Sequence, residues 1–125
     1  MRLLLDTHVI IWALEEPARF RADTRAALEN PANDLYVSVV SPWEIAIKHA
    51  KGQLAPPPDL LEELRRQSFA ELRVSWEHGL AAGALPLHHR DPFDRMLVAQ
   101  AQSEGLTIVT DDPKIALYDV KVMRG

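Results

Sequence analysis

The order of short apolar runs and helical segments along the chain is the feature that most constrains its fold. The predicted strands are residues 3–5, 35–40, 72–74, 106–110 and 120–123. The predicted helices are residues 7–14, 20–29, 41–51, 59–67, 76–84 and 91–104. Strands that alternate with helices form a parallel sheet whose two faces are covered by those helices. The sequence therefore predicts an α/β fold: a single Rossmann-like domain, spanning residues 1–125, with a mainly parallel sheet flanked by helices.

Two predicted helices begin with residues suited to capping. Ser41 fits the N-cap of the third helix, with Pro42 at the first helical position. Asp91 fits the N-cap of the long helix ahead of Pro92, and Gly105 is suited to end that helix.

Composition excludes several classes of protein. The 125 residues fit one domain, and the chain has no cysteine, which excludes disulfides, zinc–thiolate sites and thiol nucleophiles. No stretch approaches the ~20 apolar residues of a membrane span, so we expect no membrane partner and a cytoplasmic location. The net charge of −4 argues against a protein that coats nucleic acid by charge alone. It does not exclude an enzyme whose acidic site becomes neutral or positive once metal binds.

Acidic residues stand where predicted strands end and predicted helices begin. Asp6 ends the first strand, and Glu44 and Asp94 each lie in the first turn of a helix. Asp111 and Asp112 directly follow strand 106–110. The carboxyl ends of parallel strands form the edge at which such sheets bind ligands. One acid at a helix start ordinarily compensates the helix dipole, so the argument depends on the convergence of several.

Clustered carboxylates must either take up protons or bind a cation. Oxygen ligands without cysteine select Mg²⁺ or Mn²⁺ over zinc, and such ions activate water and neutralise charge on phosphate. The pattern predicts metal-dependent hydrolysis of a phosphodiester. His88 and His89 raise zinc as an alternative, but no third nitrogen or sulfur ligand stands nearby, and we expect this pair to form a loop near the groove.

Four motifs, covering nearly the whole chain in order, resemble those of PIN domains. Residues 4–8 (LLDTH) resemble the opening motif, and residues 41–48 (SPWEIAIK) resemble the second acidic motif of the VapC branch. Residues 89–101 (HRDPFDRMLVAQA) and 109–112 (VTDD) are similar to the third and fourth. The resemblance implies a Mg²⁺- or Mn²⁺-dependent endoribonuclease that hydrolyses RNA with a metal-activated water. It also implies the toxin of a toxin–antitoxin pair, with a homodimeric state and a cognate antitoxin as partner.

The resemblance also implies which residues form the site. The metal-binding and catalytic positions are Asp6, Glu44, Asp94 and Asp112. The residues expected to support them are Thr7, Ser41, Thr110 and Asp111. Their hydroxyl groups either orient a carboxylate or a water, or are ordinary cap and first-turn groups. Asp112 is preferred over Asp111 as the fourth acid, because the family places an acid two residues after the Thr.

Basic and aromatic residues near the motifs have two interpretations. The basic residues that could contact RNA are Lys48, Lys51, Arg90 and Arg95. Lys48 and Lys51 share a helical face with Glu44, which is also the pattern of a solvated, salt-bridged face. Arg95, beside Asp94, could instead pair with a carboxylate. The side chains expected to pack are His8, Trp12, Trp43 and Trp76, with Trp43 the foremost exception because it adjoins Glu44.

Other functions fit the sequence less well. A phosphotransferase with Asp6 as nucleophile would need a second Asp two residues on, where His8 stands. A phospho-receiver would need an acidic pair at the end of the first strand, and Leu5 precedes Asp6. A catalytically inactive PIN-like module that binds or regulates would usually lack one of the four acids, and none is missing.

Overall fold

A computed structural model describes all residues 1–125 and contains one sheet of five parallel strands. The strands are β1 (Arg2–Leu5), β2 (Asp34–Ser38), β3 (Ala70–Leu72), β4 (Thr107–Val109) and β5 (Lys121–Met123). The helices are α1 (Thr7–Glu15), α2 (Ala22–Glu29), α3 (Val40–Ala50), α4 (Leu60–Arg66), α5 (Trp76–Ala84) and α6 (Pro92–Glu104). Short 3₁₀ turns form at Pro17–Arg19 and Ile115–Leu117. The predicted α/β fold with a parallel sheet flanked by helices is confirmed, and none of the helices is long and apolar enough to cross a membrane.

The central strand β1 is buried on both faces, because consecutive side chains of a strand point to opposite sides of the sheet. Leu4 packs in a cluster with Leu97 of α6 and Ile108 of β4. Leu3 and Leu5 belong to a second cluster on the opposite face, built with residues of α1 and α2. All three leucines of β1 are fully buried. The apolar run before Asp6 thus fixes this acid at the middle of the sheet.

The strand order β3-β2-β1-β4-β5 creates a crevice between β1 and β4. From β1 the chain moves outward through β2 to β3, then crosses back to β4 on the other side of β1. Ligands bind at such a reversal, beyond the carboxyl ends of the strands. Parallel pairing continues to the ends of these strands, where Asp6 N donates to Val109 O at 3.0 Å. The residues that follow β1 and β4 therefore meet at the crevice.

The start of α3 differs from the prediction. The helix begins at Val40, its N-cap is Val39, and no side chain caps it, so Ser41 is not the cap and Pro42 is not the first helical residue. Ser38, the last residue of β2, accepts a hydrogen bond from Val40 N at 3.3 Å instead. Ser41 is free for a tertiary contact because the turn from β2 into α3 is made without it.

The other boundaries fall close to those expected. Asp91 caps α6 by accepting hydrogen bonds from Phe93 N and Asp94 N, and Gly105 ends that helix with φ of 69°. β3 covers Ala70–Leu72 and not the predicted 72–74, with Ala70 paired to Tyr36 of β2. This strand lies at a partly exposed edge, where burial places little constraint on which residues pair.

Candidate active site

A polar cavity of about 560 Å³ lies beyond the carboxyl ends of β1 and β4. The four acids singled out by the motifs all line it: Asp6, Glu44, Asp94 and Asp112. Only two of its eleven lining residues are hydrophobic, which suits a charged ligand rather than an apolar one. Side chains from four distant segments thus converge at the edge that the topology marks as the ligand site.

Asp6 is held in one orientation as it leaves β1. Its Oδ1 accepts a hydrogen bond from Thr7 N at 2.6 Å, and its Oδ2 accepts one from the Thr110 hydroxyl at 2.7 Å. The residue is only 6% exposed. Burial raises the pKa of this carboxyl, outweighing the hydrogen bonds from Thr110 and Thr7, which lower it. Asp6 therefore presents a fixed carboxyl group whose negative charge the protein compensates only in part.

Glu44 is fixed through both of its oxygens. Since α3 starts at Val40, Glu44 lies one turn into the helix, and it is 3% exposed. Thr7 Oγ1 donates to Glu44 Oε1 at 2.7 Å and also lies 3.1 Å from the buried Ser41 Oγ. Lys48 Nζ donates to Glu44 Oε2 at 2.5 Å. The hydroxyls of Thr7 and Thr110 thus donate to carboxylates of the cavity, while the Ser41 hydroxyl contacts that of Thr7.

Lys48 supplies the countercharge within the cavity. Its partial burial lowers the pKa of the ammonium group, but the hydrogen bond and charge of Glu44 raise it more, with smaller contributions from Asp91 and Asp94, and the net shift is upward. Lys48 therefore stays protonated. The lining also contains a second cation, Arg19, which pairs with Glu16, and a fifth acid, Asp111. If the five lining acids were all ionised, the two lining cations would leave at least three of their negative charges unbalanced.

His89 joins the remaining two acids, a contact that the sequence interpretation missed. Its Nε2 lies 2.9 Å from Asp94 Oδ2 and 2.9 Å from Asp112 Oδ2. Its Nδ1 accepts a hydrogen bond from Asp91 N at 3.2 Å, which assigns the ring proton of the neutral imidazole to Nε2. His89 thus donates toward both carboxylates. Its spacing, five residues before Asp94 and two before the cap of α6, was the available signal.

Asp94 carries the most perturbed charge of the site. Burial and the charges of Asp6, Asp91, Glu44 and Asp112 raise the pKa of its carboxyl to about 8. Its side chain is 14% exposed. The cavity therefore contains more carboxylate charge than its own cations can balance, and a proton resides there at neutral pH unless another cation takes its place.

Asp112 and Asp111 point in different directions. Asp112 Oδ2 contacts His89, while its Oδ1 accepts a hydrogen bond from Lys114 N at 2.8 Å. Asp111 Oδ1 instead accepts from Gly125 N at 2.9 Å at the end of the chain. Asp111 also lines the cavity, but only Asp112 contacts His89, and this contact favours Asp112 as the fourth acid.

Arg95 binds backbone carbonyls and not a carboxylate. Its guanidinium donates to carbonyl oxygens of Ala82, Leu85, Pro86 and His89 at distances from 2.9 to 3.2 Å. These bonds hold the loop between α5 and α6, including the backbone of His89, and leave the side chain outside the cavity. The role of Arg95 is to position this loop.

The other basic residues are also spread apart. Lys48 lines the cavity, whereas Lys51 ends α3 and Arg90 lies in the loop before α6, both exposed and outside the cavity lining. The structure thus brings one of the four predicted basic residues to the acids.

Two of the four side chains expected to pack contact another ring. Trp12 packs against Phe20 with ring centroids 6.1 Å apart, and Trp43 packs against Phe93 while it is 60% exposed. His8 is exposed and lines the cavity, and Trp76 is 90% exposed. The residue types alone did not predict which of these side chains would be exposed.

A family model and a related protein each match most of the chain. A family model described as PIN domain matches residues 3–121. The chain is 32% identical over 118 residues to Ribonuclease VapC22 of Mycobacterium tuberculosis, covering 90% of this chain and 88% of that protein.

Solved structures of low sequence identity share the fold. A chain of VapBC2 from Rickettsia felis, bound to a promoter DNA fragment, matches with a TM-score of 0.73 at 14% identity, covering 100% of this chain and 99% of that one. A chain of DNA-bound VapBC from Salmonella typhimurium matches with a TM-score of 0.71 at 21% identity, covering 99% and 98%. From the family match and the related ribonuclease together, we conclude that this chain belongs to the PIN-domain family.

Proposed function

We propose that the protein is a metal-dependent endoribonuclease and the toxin component of a VapBC-type toxin–antitoxin pair. The observation that carries this proposal is the convergence of Asp6, Glu44, Asp94 and Asp112 in one cavity with an excess of negative charge. The relative named as a ribonuclease, matched over most of its length, supports the reaction class.

The residues present fit a divalent cation. Carboxylate oxygens are the ligands that Mg²⁺ and Mn²⁺ prefer. Burial and the neighbouring carboxylates raise the pKa of Asp94, and a bound cation would relieve the repulsion among those carboxylates. Asp6, Asp94 and Asp112 would hold the metal, and Glu44 would hold it or orient a water beside it. When bound, the metal supplies neutralisation of phosphate charge and a more acidic water.

The chain's own groups are arranged for attack by a water opposite the leaving 3′ oxygen. Thr110 and Thr7 fix Asp6 and Glu44, so that the carboxylates need little rearrangement when substrate arrives. Glu44 keeps free lone pairs on both oxygens with which to accept a proton from the attacking water. Water oxygen bonds to phosphorus while the bond from phosphorus to the 3′ oxygen breaks, which leaves a 5′-phosphate and a 3′-hydroxyl.

A phosphotransferase with Asp6 as nucleophile is not proposed. Such an enzyme needs a second Asp two residues on, and His8 stands at that position.

The partners we propose are an RNA substrate, a cognate antitoxin and a second copy of the chain. The structural neighbours are VapBC complexes, which supports an antitoxin partner. Exposed apolar side chains on α5, Trp76 and Leu80, with Leu61 on α4, support a further protein interface. Co-purification of the chain with the product of an adjacent antitoxin gene, and its molar mass in solution, test these two partners.

End-mapping of RNA cleavage tests the reaction. Purified protein is incubated with labelled RNA in Mg²⁺ or Mn²⁺, with and without chelator, beside Asp6→Asn and Asp94→Asn variants purified identically. We expect fragments with 5′-phosphate ends from the parent alone, and only with metal. Equal cleavage by both variants would show a contaminating nuclease or a different site, and no cleavage of any RNA by the parent would favour an inactive binding module.

A further inference from the structure

An aromatic pair bridges α3 and α6 beside the acidic cavity. The ring centroids of Trp43 and Phe93 are 5.1 Å apart with an angle of 82° between the ring planes. Phe93 packs partly against the core cluster that contains Leu97 and Ile108. The pair is therefore anchored in the core through Phe93, and Trp43 is braced by an edge-to-face contact.

The two aromatic residues each precede an acid of the cavity. Trp43 is followed by Glu44 on α3, and Phe93 is followed by Asp94 on α6. Consecutive helical residues are about 100° apart around the axis, so each ring leaves its helix on the face next to the one that carries the acid. The acids line the cavity, and the two rings lie outside its lining. Trp43 is 60% exposed, which leaves most of the indole open to solvent beside the acids.

The cations closest to the acids are engaged within the protein. Lys48 is paired with Glu44, and the guanidinium of Arg95 binds backbone carbonyls. Arg19 also lines the cavity, and it pairs with Glu16. With a net charge of −4, few free positive side chains remain beside the acids to attract phosphates. Unpaired bases stack on aromatic rings without requiring positive charge, and every base offers a flat face.

We propose that Trp43, braced by Phe93, is a stacking subsite for an unpaired nucleobase of the RNA next to the bond that is cut. This inference rests on the proposed ribonuclease function and narrows its substrate to RNA with an unstacked base at that position. Bases inside a duplex are already stacked on their neighbours, so a duplex of the same sequence would not reach the subsite. An RNA occupant is favoured over a protein one because the subsite adjoins a cavity with mainly polar lining.

Binding to base-containing and abasic RNA tests the subsite. The probes are a fluorescein-labelled, mixed-sequence single-stranded RNA and copies in which one abasic position is moved along the strand. Anisotropy is measured with protein carrying Asp6→Asn, which the proposed function requires to be inactive. We expect Trp43→Ala to weaken binding about ten-fold, within the range for one stacked base, and Trp43→Phe to retain most of the affinity.

The abasic copies separate stacking from a general structural effect. With Trp43 present, one abasic position should weaken binding by a similar factor; with Trp43→Ala, that position should make no difference. Leu117→Ala is the control, since it removes an exposed apolar side chain from the 3₁₀ turn Ile115–Leu117, outside the cavity lining, and it should leave RNA affinity unchanged. Thermal melts check that each variant is folded, and the abasic comparison with Trp43 intact stands even if the alanine variant is unstable.

Two results would overturn the proposal. One is RNA affinity that does not respond to Trp43→Ala or to any abasic position. The other is loss of antitoxin binding on Trp43→Ala with RNA binding unchanged, which would assign the ring to a protein interface. Failure of the proposed function itself is recognised separately, since it appears as absence of cleavage by the parent or as persistent cleavage by Asp6→Asn.

Discussion

Replacing Asp94 by Asn should stabilise the metal-free protein while abolishing its activity. The carboxyl of Asp94 is buried among other acids, and its pKa is raised to about 8, whereas the carboxyl of an unfolded chain loses its proton near pH 4. Between these values the folded protein holds a proton that the unfolded chain has released. The free energy of unfolding therefore falls as pH rises from about 4 to about 8 and is level above that range.

The size of the effect follows from the shift. The ordinary pKa of 3.8 lies about three units below pH 7, and each unit corresponds to about 1.4 kcal/mol. The destabilisation that Asn would remove at pH 7 is therefore at most about 4 kcal/mol. Because the side chain is still 14% exposed, solvent screens part of the repulsion, and we expect a measured gain on the order of 2 kcal/mol. Asn keeps an oxygen that can accept from His89 Nε2, so the variant loses charge without losing that contact. For a chain of this length the gain corresponds to roughly 8 °C in Tm.

Urea unfolding followed by circular dichroism, in chelator, measures the gain at several pH values. It should be large near neutral pH and vanish below about pH 3, where the carboxyl is protonated in both the folded and the unfolded parent. Asp59→Asn is the matched control, since Asp59 is exposed, makes no side-chain cap bond and should show no such dependence. If Asp94→Asn were no more stable than the parent at neutral pH, or equally stabilised at every pH, the electrostatic account of the cavity would be refuted.

Three further substitutions test separate parts of the site. Thr110→Val removes a hydrogen bond that lowers the pKa of Asp6. The pH at which the cleavage rate reaches its plateau should therefore move upward, and the rate at neutral pH should fall about ten-fold. The control Thr110→Ser keeps the hydroxyl and should keep the parent's pH profile. Arg95→Met should lower the free energy of unfolding by about 2 kcal/mol in urea titrations, because partly buried carbonyls lose their donor. Unchanged stability with weakened RNA binding would contradict a positioning role for Arg95. Asp112→Asn should reduce cleavage far more than Asp111→Asn in the same assay, and the reverse order would exchange the two assignments.

The acids were predictable from sequence because their positions follow from local rules. A buried strand that ends at Asp6, and a strand that ends just before Asp111, place acids at the carboxyl edge in any parallel sheet of this kind. The cap at Asp91 and the stop at Gly105 are likewise set by neighbours in the chain. The four motifs then distinguished the acids of the cavity from ordinary helix-start acids.

The supporting contacts were not predictable because they depend on packing between distant segments. His89 reaches Asp94 and Asp112 only because Arg95 and Tyr118 hold its loop, with Tyr118 OH accepting from His89 N at 2.9 Å. Ser41 has the local pattern of an N-cap, yet the turn from β2 into α3 leaves it facing Thr7. In each case a tertiary contact decided between two roles that the local sequence permitted equally.

Binding of Mn²⁺ to the purified, metal-free protein tests whether the converging carboxylates form a cation site. Titration calorimetry should show saturable binding to the parent, lost or weakened by at least ten-fold in Asp6→Asn and Asp94→Asn and unchanged in Asp59→Asn. Absence of saturable binding by the parent, or equal binding by all four proteins, would mean that the converging carboxylates do not form a cation site.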